Sequence, residues 1–114
     1  MTYMLSAAGV VPDELEVLRA NPSWSRRVAA AHTIPRELRS MNDYAPDPQR
    51  LARIDIPVLL LVGGQTEPRR RELFEQSASL FKAGRVAVLE GQRHAAHQTG
   101  PDMLATALRR FLLA

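Results

Sequence analysis

No cysteine occurs among the 114 residues. Disulfide staples, thiolate nucleophiles and cysteine-bound metals are thereby excluded, and the composition fits a cytoplasmic protein. Lysine is nearly as scarce. Lys82 is the only one, so the basic side is arginine, and the formal net charge is +3. The arginines are scattered and often lie beside acids, and the one run, Arg69 to Arg71, is followed at once by Glu72. A nucleic-acid surface needs clustered charge interleaved with aromatics or glycines, so a solvated helix face is expected here and no nucleic-acid partner. No apolar run approaches the roughly 20 residues that cross a bilayer, so no membrane partner is expected. The opening stretch MTYMLSAAGVVPDELE has no basic start and turns acidic early, which does not read as a signal peptide. Aromatic residues make up 5%, and Trp24 and Tyr44 read as packing residues rather than a binding box.

What is present is ordinary for a soluble globular protein: 46% hydrophobic and 24% charged residues, enough for one domain of modest size. The chain divides into two regions, 1–48 and 49–114. The first reads as helical. PDELEVLRA places Leu15 and Leu18 on one side, with acids in its first turn. Asn21 followed by Pro22 has the form of a helix start, cap then first helical residue. SWSRRVAAAH sets Trp24, Val28 and Ala31 on one stripe, Thr33 and Pro35 form another start before RELRSM, and NDYAPDPQ reads as a turn-rich connector.

The pattern changes in the second region. LARIDIPVLLLVGG ends in an unbroken apolar run, Val58 to Val62, closed by Gly63 and Gly64. Such a run suits a strand buried on both faces, as in a parallel sheet. PRRRELFEQSASLF follows as a helix with Leu73, Phe74, Ser77, Ala78 and Phe81 on one face, and Gly84 suits its end. RVAVLEG is a second strand, with its core at Val86 to Leu89. Pro101 opens a last helix, with Asp102 in its first turn and Arg109 and Arg110 in its last, both matching the helix dipole. Its expected buried side holds Leu104, Ala107, Leu108, Phe111 and Leu112. The fold class is therefore α/β: a βαβα unit with parallel strands, preceded by helices. Two strands alone cannot cover both faces and both edges of VLLLV. Another chain or a larger domain is expected to complete the sheet.

In open parallel sheets, ligands and catalytic groups gather at the carboxyl ends of the strands. Two loops leave such ends, GGQTEP at 63–68 and EGQRHAAHQTGP at 90–101. If the strands are neighbours, a carboxylate in the first loop and an imidazole in the second come together as the acid and base of a Ser-His-acid system require. His94 and His97 also have the spacing of one helical face. No third ligand is evident, so neither a metal site nor a cofactor is expected. Glu67 beside Pro68 has a second available role, as an acid at a helix N-terminus.

From LARIDIPVLLLVGGQTEP through RVAVLEGQRHAAHQTGPDMLATALRRFL, the chain resembles the C-terminal part of an α/β hydrolase, over about residues 50–114. The resemblance implies that the preceding helices are cap-like. It also implies that His94, in G-Q-R-H, is the catalytic histidine, while His97 matches no required position. Glu67 is the candidate acid, as the only carboxylate of its loop. Relatives often carry an acid about where Gln65 stands, and an earlier loop outside these residues is the other source left open. The G-x-S-x-G nucleophile elbow is absent. The resemblance thus implies an ester- or acyl-type hydrolase acting on a small-molecule substrate in its intact form, with the nucleophile half lacking here and the isolated chain inactive. The alternative is a non-catalytic interaction or dimerisation domain that uses an exposed sheet edge, as a homo-oligomer or with another partner.

Overall fold

A computed structural model describes residues 1–114. They form two compact units, Met1–Asp47 and Pro48–Ala114. The first is helical. Helix α1 (Thr2–Ala7) ends where Gly9 adopts φ +94°, a value glycine reaches without a Cβ penalty. There the Gly9 N–H donates to Ser6 O and the Val10 N–H to Leu5 O, each at 3.0 Å. Leu5 and Val10 are both buried. This is the paired-bond helix stop with its apolar contact, and it fixes the reversal into α2 (Pro12–Ala20). The N-terminus of α2 is closed by Glu14, whose Oε2 accepts the Val11 N–H at 3.2 Å. Leu15 and Leu18 face inward as expected, and Leu18 is only 1% exposed.

Asn21 makes the bond of a cap: its Oδ1 accepts the Ser23 N–H at 2.9 Å. Continuous helix nevertheless begins only at Trp24, two residues later than expected, because the same oxygen also takes the Ser23 hydroxyl at 2.7 Å and holds a separate turn. Helix α3 (Trp24–Ala29) passes through a 3₁₀ turn (Ala30–Thr33) into α4 (Ile34–Asp43), which has Pro35 in its first turn. Val28 is 48% exposed, so the expected Trp24–Val28–Ala31 stripe is not a buried one within this unit. The irregular connector is shorter than the turn-forming residues suggest. It covers only residues 44–47, because α4 runs to Asp43 and Pro48 opens α5 (Pro48–Ala52).

In the second unit, β1 (Val58–Gly63) pairs in parallel with β2 (Gly84–Leu89), in register from Val58 opposite Gly84 to Gly63 opposite Leu89. Helix α6 (Pro68–Ser79) joins the strands and packs on both. Helix α7 (Ala96–Thr99) and helix α8 (Pro101–Leu112) follow, and α8 packs against β2. Gly84 is not the helix end. The helix stops at Ser79, and Gly84 opens β2 at a point where a Cβ would lie 2.0 Å from Ala78 O. Only glycine lets the strand start this close to the end of the helix.

The small core of this unit is Val62, Ala78, Leu89, Ala95 and Ala96. Much of the expected apolar surface lies outside it. Leu73 on α6 is 54% exposed and Leu112 on α8 is 72% exposed, while Leu104, Ala107 and Phe111 are half-buried. The sheet has two strands, so each has one open edge. The Val58 N–H donates to Ala83 O and the Gly64 N–H to Leu89 O. Residues alternate in direction along a parallel ladder. The peptide groups of Leu59 and Leu61 therefore face the open edge of β1, and those of Val86 and Val88 face the open edge of β2.

Candidate active site

Both candidate residues lie on loops that leave the carboxyl ends of the two strands. Glu67 is exposed and occupies the N-cap position of α6, where its side chain makes no capping bond. Pro68 sets the first helical dihedral, and the negative charge at this position is favoured by the helix dipole. His94 is exposed in a turn between Arg93 and the buried pair Ala95 and Ala96. Neither side chain hydrogen-bonds or ion-pairs with the other. His97 lies within α7.

The two loops are joined by backbone. Gly64 N–H donates to Leu89 O at 2.8 Å, and Gln65 N–H donates to Gln92 O at 3.0 Å. In the other direction, Arg93 Nη1 donates to Gln65 O at 2.8 Å. The second guanidinium at this surface, Arg71, donates from Nη1 to Gly64 O at 3.2 Å. Gly63 makes the approach possible, since a Cβ there would lie 2.4 Å from Gln92 O and 2.7 Å from Arg93 O. Gly91 turns the second loop with φ +70°. Gln92 also reaches forward, its Oε1 accepting the Thr99 hydroxyl at 2.7 Å.

This surface therefore presents a carboxylate and an imidazole on two loops that are hydrogen-bonded to each other. It holds the types of group that serve as acid and base in acyl transfer. No three His, Asp or Glu side chains come together in a way that would hold a metal ion. No helix is long and apolar enough to cross a membrane. The roles of Gln92, Arg93 and the Gln65 peptide group are not legible in the sequence. Gly63 and Gly64 are the only local hint, as glycines closing a strand.

No protein-family model and no curated protein matches the chain. A solved structure does: the crystal structure of an α/β hydrolase from Sphaerobacter thermophilus DSM 20745, 31% identical, with a TM-score of 0.70. The match takes in 96% of this chain and 42% of that one. The mixed α/β structure, with two parallel strands and helices, thus matches part of an α/β-hydrolase fold. The chain spans less than half the length of the hydrolase it matches.

Proposed function

We propose that these 114 residues supply the base-bearing part of an α/β hydrolase acting on ester or related acyl compounds. His94 is its general base and Glu67 the acid that orients it. The serine nucleophile comes from polypeptide outside these residues. The observation that carries this reading is the match of nearly the whole chain to part of one hydrolase. The meeting of the two strand-end loops supports it.

In the reaction, His94 takes the proton of the serine hydroxyl as that oxygen attacks the acyl carbon. It returns the proton to the leaving group as the acyl–oxygen bond breaks, then activates water to release the acid. Glu67 holds the imidazole tautomer and steadies its positive charge. Residues 1–48 are the cap-like segment, where substrate choice in such folds is made. The lack of cysteine suits a cytoplasmic enzyme.

The experiment is hydrolysis of p-nitrophenyl esters by the 114-residue chain beside a His94→Ala control. No difference is expected, because an acid and a base without a positioned serine retain little of the triad's rate. Clear turnover that disappears with His94→Ala would place the nucleophile within these residues and overturn the proposed division.

One observation favours a second reading, a non-catalytic interaction or dimerisation domain. Leu59 and Leu61 belong to a charge-free strand with an open edge, a surface on which a further strand can pair. Sedimentation showing a stable homodimer that protects these two amides from exchange would support it over catalysis.

A further inference from the structure

Building on the role of His94 proposed above, we infer that Gln92 is a positioning residue that holds the His94 loop at two points. One point is the loop that carries Glu67, and the other is the start of the last helix. The first hold is a reciprocal clasp on a single residue. Gln92 O accepts the Gln65 N–H at 3.0 Å, and Arg93 Nη1 donates to Gln65 O at 2.8 Å. Two consecutive residues of one loop thus engage both polar groups of one residue in the other. The second hold is the Gln92 side chain. Its Oε1 takes the Thr99 hydroxyl at 2.7 Å, shorter than that hydroxyl's 3.3 Å approach to Ala95 O.

Both ends are close-fitting as well as bonded. A Cβ on Gly63 would lie 2.4 Å from Gln92 O, and one on Gly100 would lie 2.7 Å from Gln92 Cδ. Gln92 is therefore seated between two glycines, one at the end of β1 and one at the cap of α8.

His94 lies between these holds, one residue beyond Arg93 and five before Thr99. It is exposed, and no side-chain bond of its own fixes it. The backbone on either side sets where its Cβ emerges, and that backbone is what Gln92 secures. A catalytic group must be held within about half an ångström of its working position. A displacement of about 1 Å costs on the order of a hundredfold in rate. A residue that locks the loop thus acts on the reaction without touching substrate.

The test uses the 114-residue chain and needs no turnover. Amide exchange at Gln65 and ¹⁵N relaxation of the His94 ring and backbone are measured in four variants. Gln92→Leu removes the acceptor and Gln92→Glu keeps one. Thr99→Val removes the donor, and the fourth variant combines Gln92→Leu with Thr99→Val. With Gln92→Leu, exchange at Gln65 is expected to rise about five- to tenfold, the effect of losing one ordinary hydrogen bond, and His94 to gain mobility. Gln92→Glu retains wild-type order. Thr99→Val reproduces the loss, and the double variant is no worse than either single one, because the two changes remove the same bond.

A His94 as ordered in Gln92→Leu as in the wild type overturns the inference. So does a Glu variant as mobile as the Leu variant, or an additive double variant. If Gln92→Leu does not fold, Thr99→Val decides alone, and unchanged His94 order there is the overturning result. Failure of the catalytic reading shows differently, as turnover in an intact hydrolase that is indifferent to His94→Ala.

Discussion

The carboxyl end of the β1–β2 pair and its flanks are built from the same two strands, yet one is closed and the other open. At the end, Gly64 bonds to Leu89 and Gln65 to Gln92 and Arg93 through hydrogen bonds of 2.8–3.0 Å, and Gly63 permits the close approach of Gln92. Along the flanks, the Leu59 and Leu61 peptide groups have no strand beside them, and Leu73 and Leu112 face outward. The loops need only each other, so these residues suffice to close them. A uniformly apolar strand needs neighbours and layers that a two-stranded sheet does not have. The contrast locates what the chain completes by itself and what polypeptide outside it would complete.

The largest expected effect comes from breaking the closed end. Gly63→Ala places a Cβ against the Gln92 carbonyl, which cannot retreat without giving up the Gln65 bond. Denaturant unfolding should show a loss of about 3 kcal/mol, the upper range for overpacking. A loss under about 1 kcal/mol, the lower end of that range, would mean the two loops are not truly locked.

Next comes the flank itself. In hydrogen exchange on the isolated chain, the Leu60 and Val62 amides, directed at β2, should exchange about a hundredfold more slowly than those of Leu59 and Leu61, since internally bonded amides open only with their local unit and unpaired edge amides meet water directly. Equal protection of all four would show that the β1 edge is already covered.

Gly91→Ala separates backbone strain from crowding. Gly91 has φ +70°, but nothing lies within 4 Å of the place a Cβ would take, so the cost should be the left-handed penalty alone, about 1–2 kcal/mol. A loss as large as that at Gly63 would remove the distinction between the two glycines. The smallest effect belongs to the exposed face. Leu112→Lys should change stability by no more than about 0.5 kcal/mol in the isolated chain, as for surface changes in general. A substantial loss would mean that Leu112 is packed in solution.

Local chemistry makes much of this fold legible. The apolar run Val58 to Val62 is a strand, and Pro12, Pro35, Pro68 and Pro101 all lie in the first turn of a helix. The parallel pairing follows from a helix between two strands. Gly84 looks like a helix end in the sequence, but its reason for being glycine is the carbonyl of Ala78, a contact that exists only once helix and strand meet. The apolar faces of α6 and α8 are periodic, but periodicity does not say whether the covering layer lies within the same 114 residues.

At the candidate site, the strand-end loops and the place of His94 and Glu67 on them can be read from the order of elements. The clasp cannot. It is made largely of main-chain groups, and almost any residue at position 65 would present the same N–H and C=O. Gln92 and Thr99, which supply the side-chain latch, match no pattern that spacing alone would single out.

The most direct measurement of the central claim is ester turnover by a chimera. This chain would replace the matched segment of the Sphaerobacter thermophilus hydrolase, so that polypeptide outside the 114 residues supplies the remaining fold. On a broad panel of p-nitrophenyl esters, the chimera should turn over substrate, and His94→Ala should lower that turnover by at least about a thousandfold. A folded chimera with no turnover, or one whose turnover is unchanged by His94→Ala, would contradict the assignment of the catalytic base to this chain.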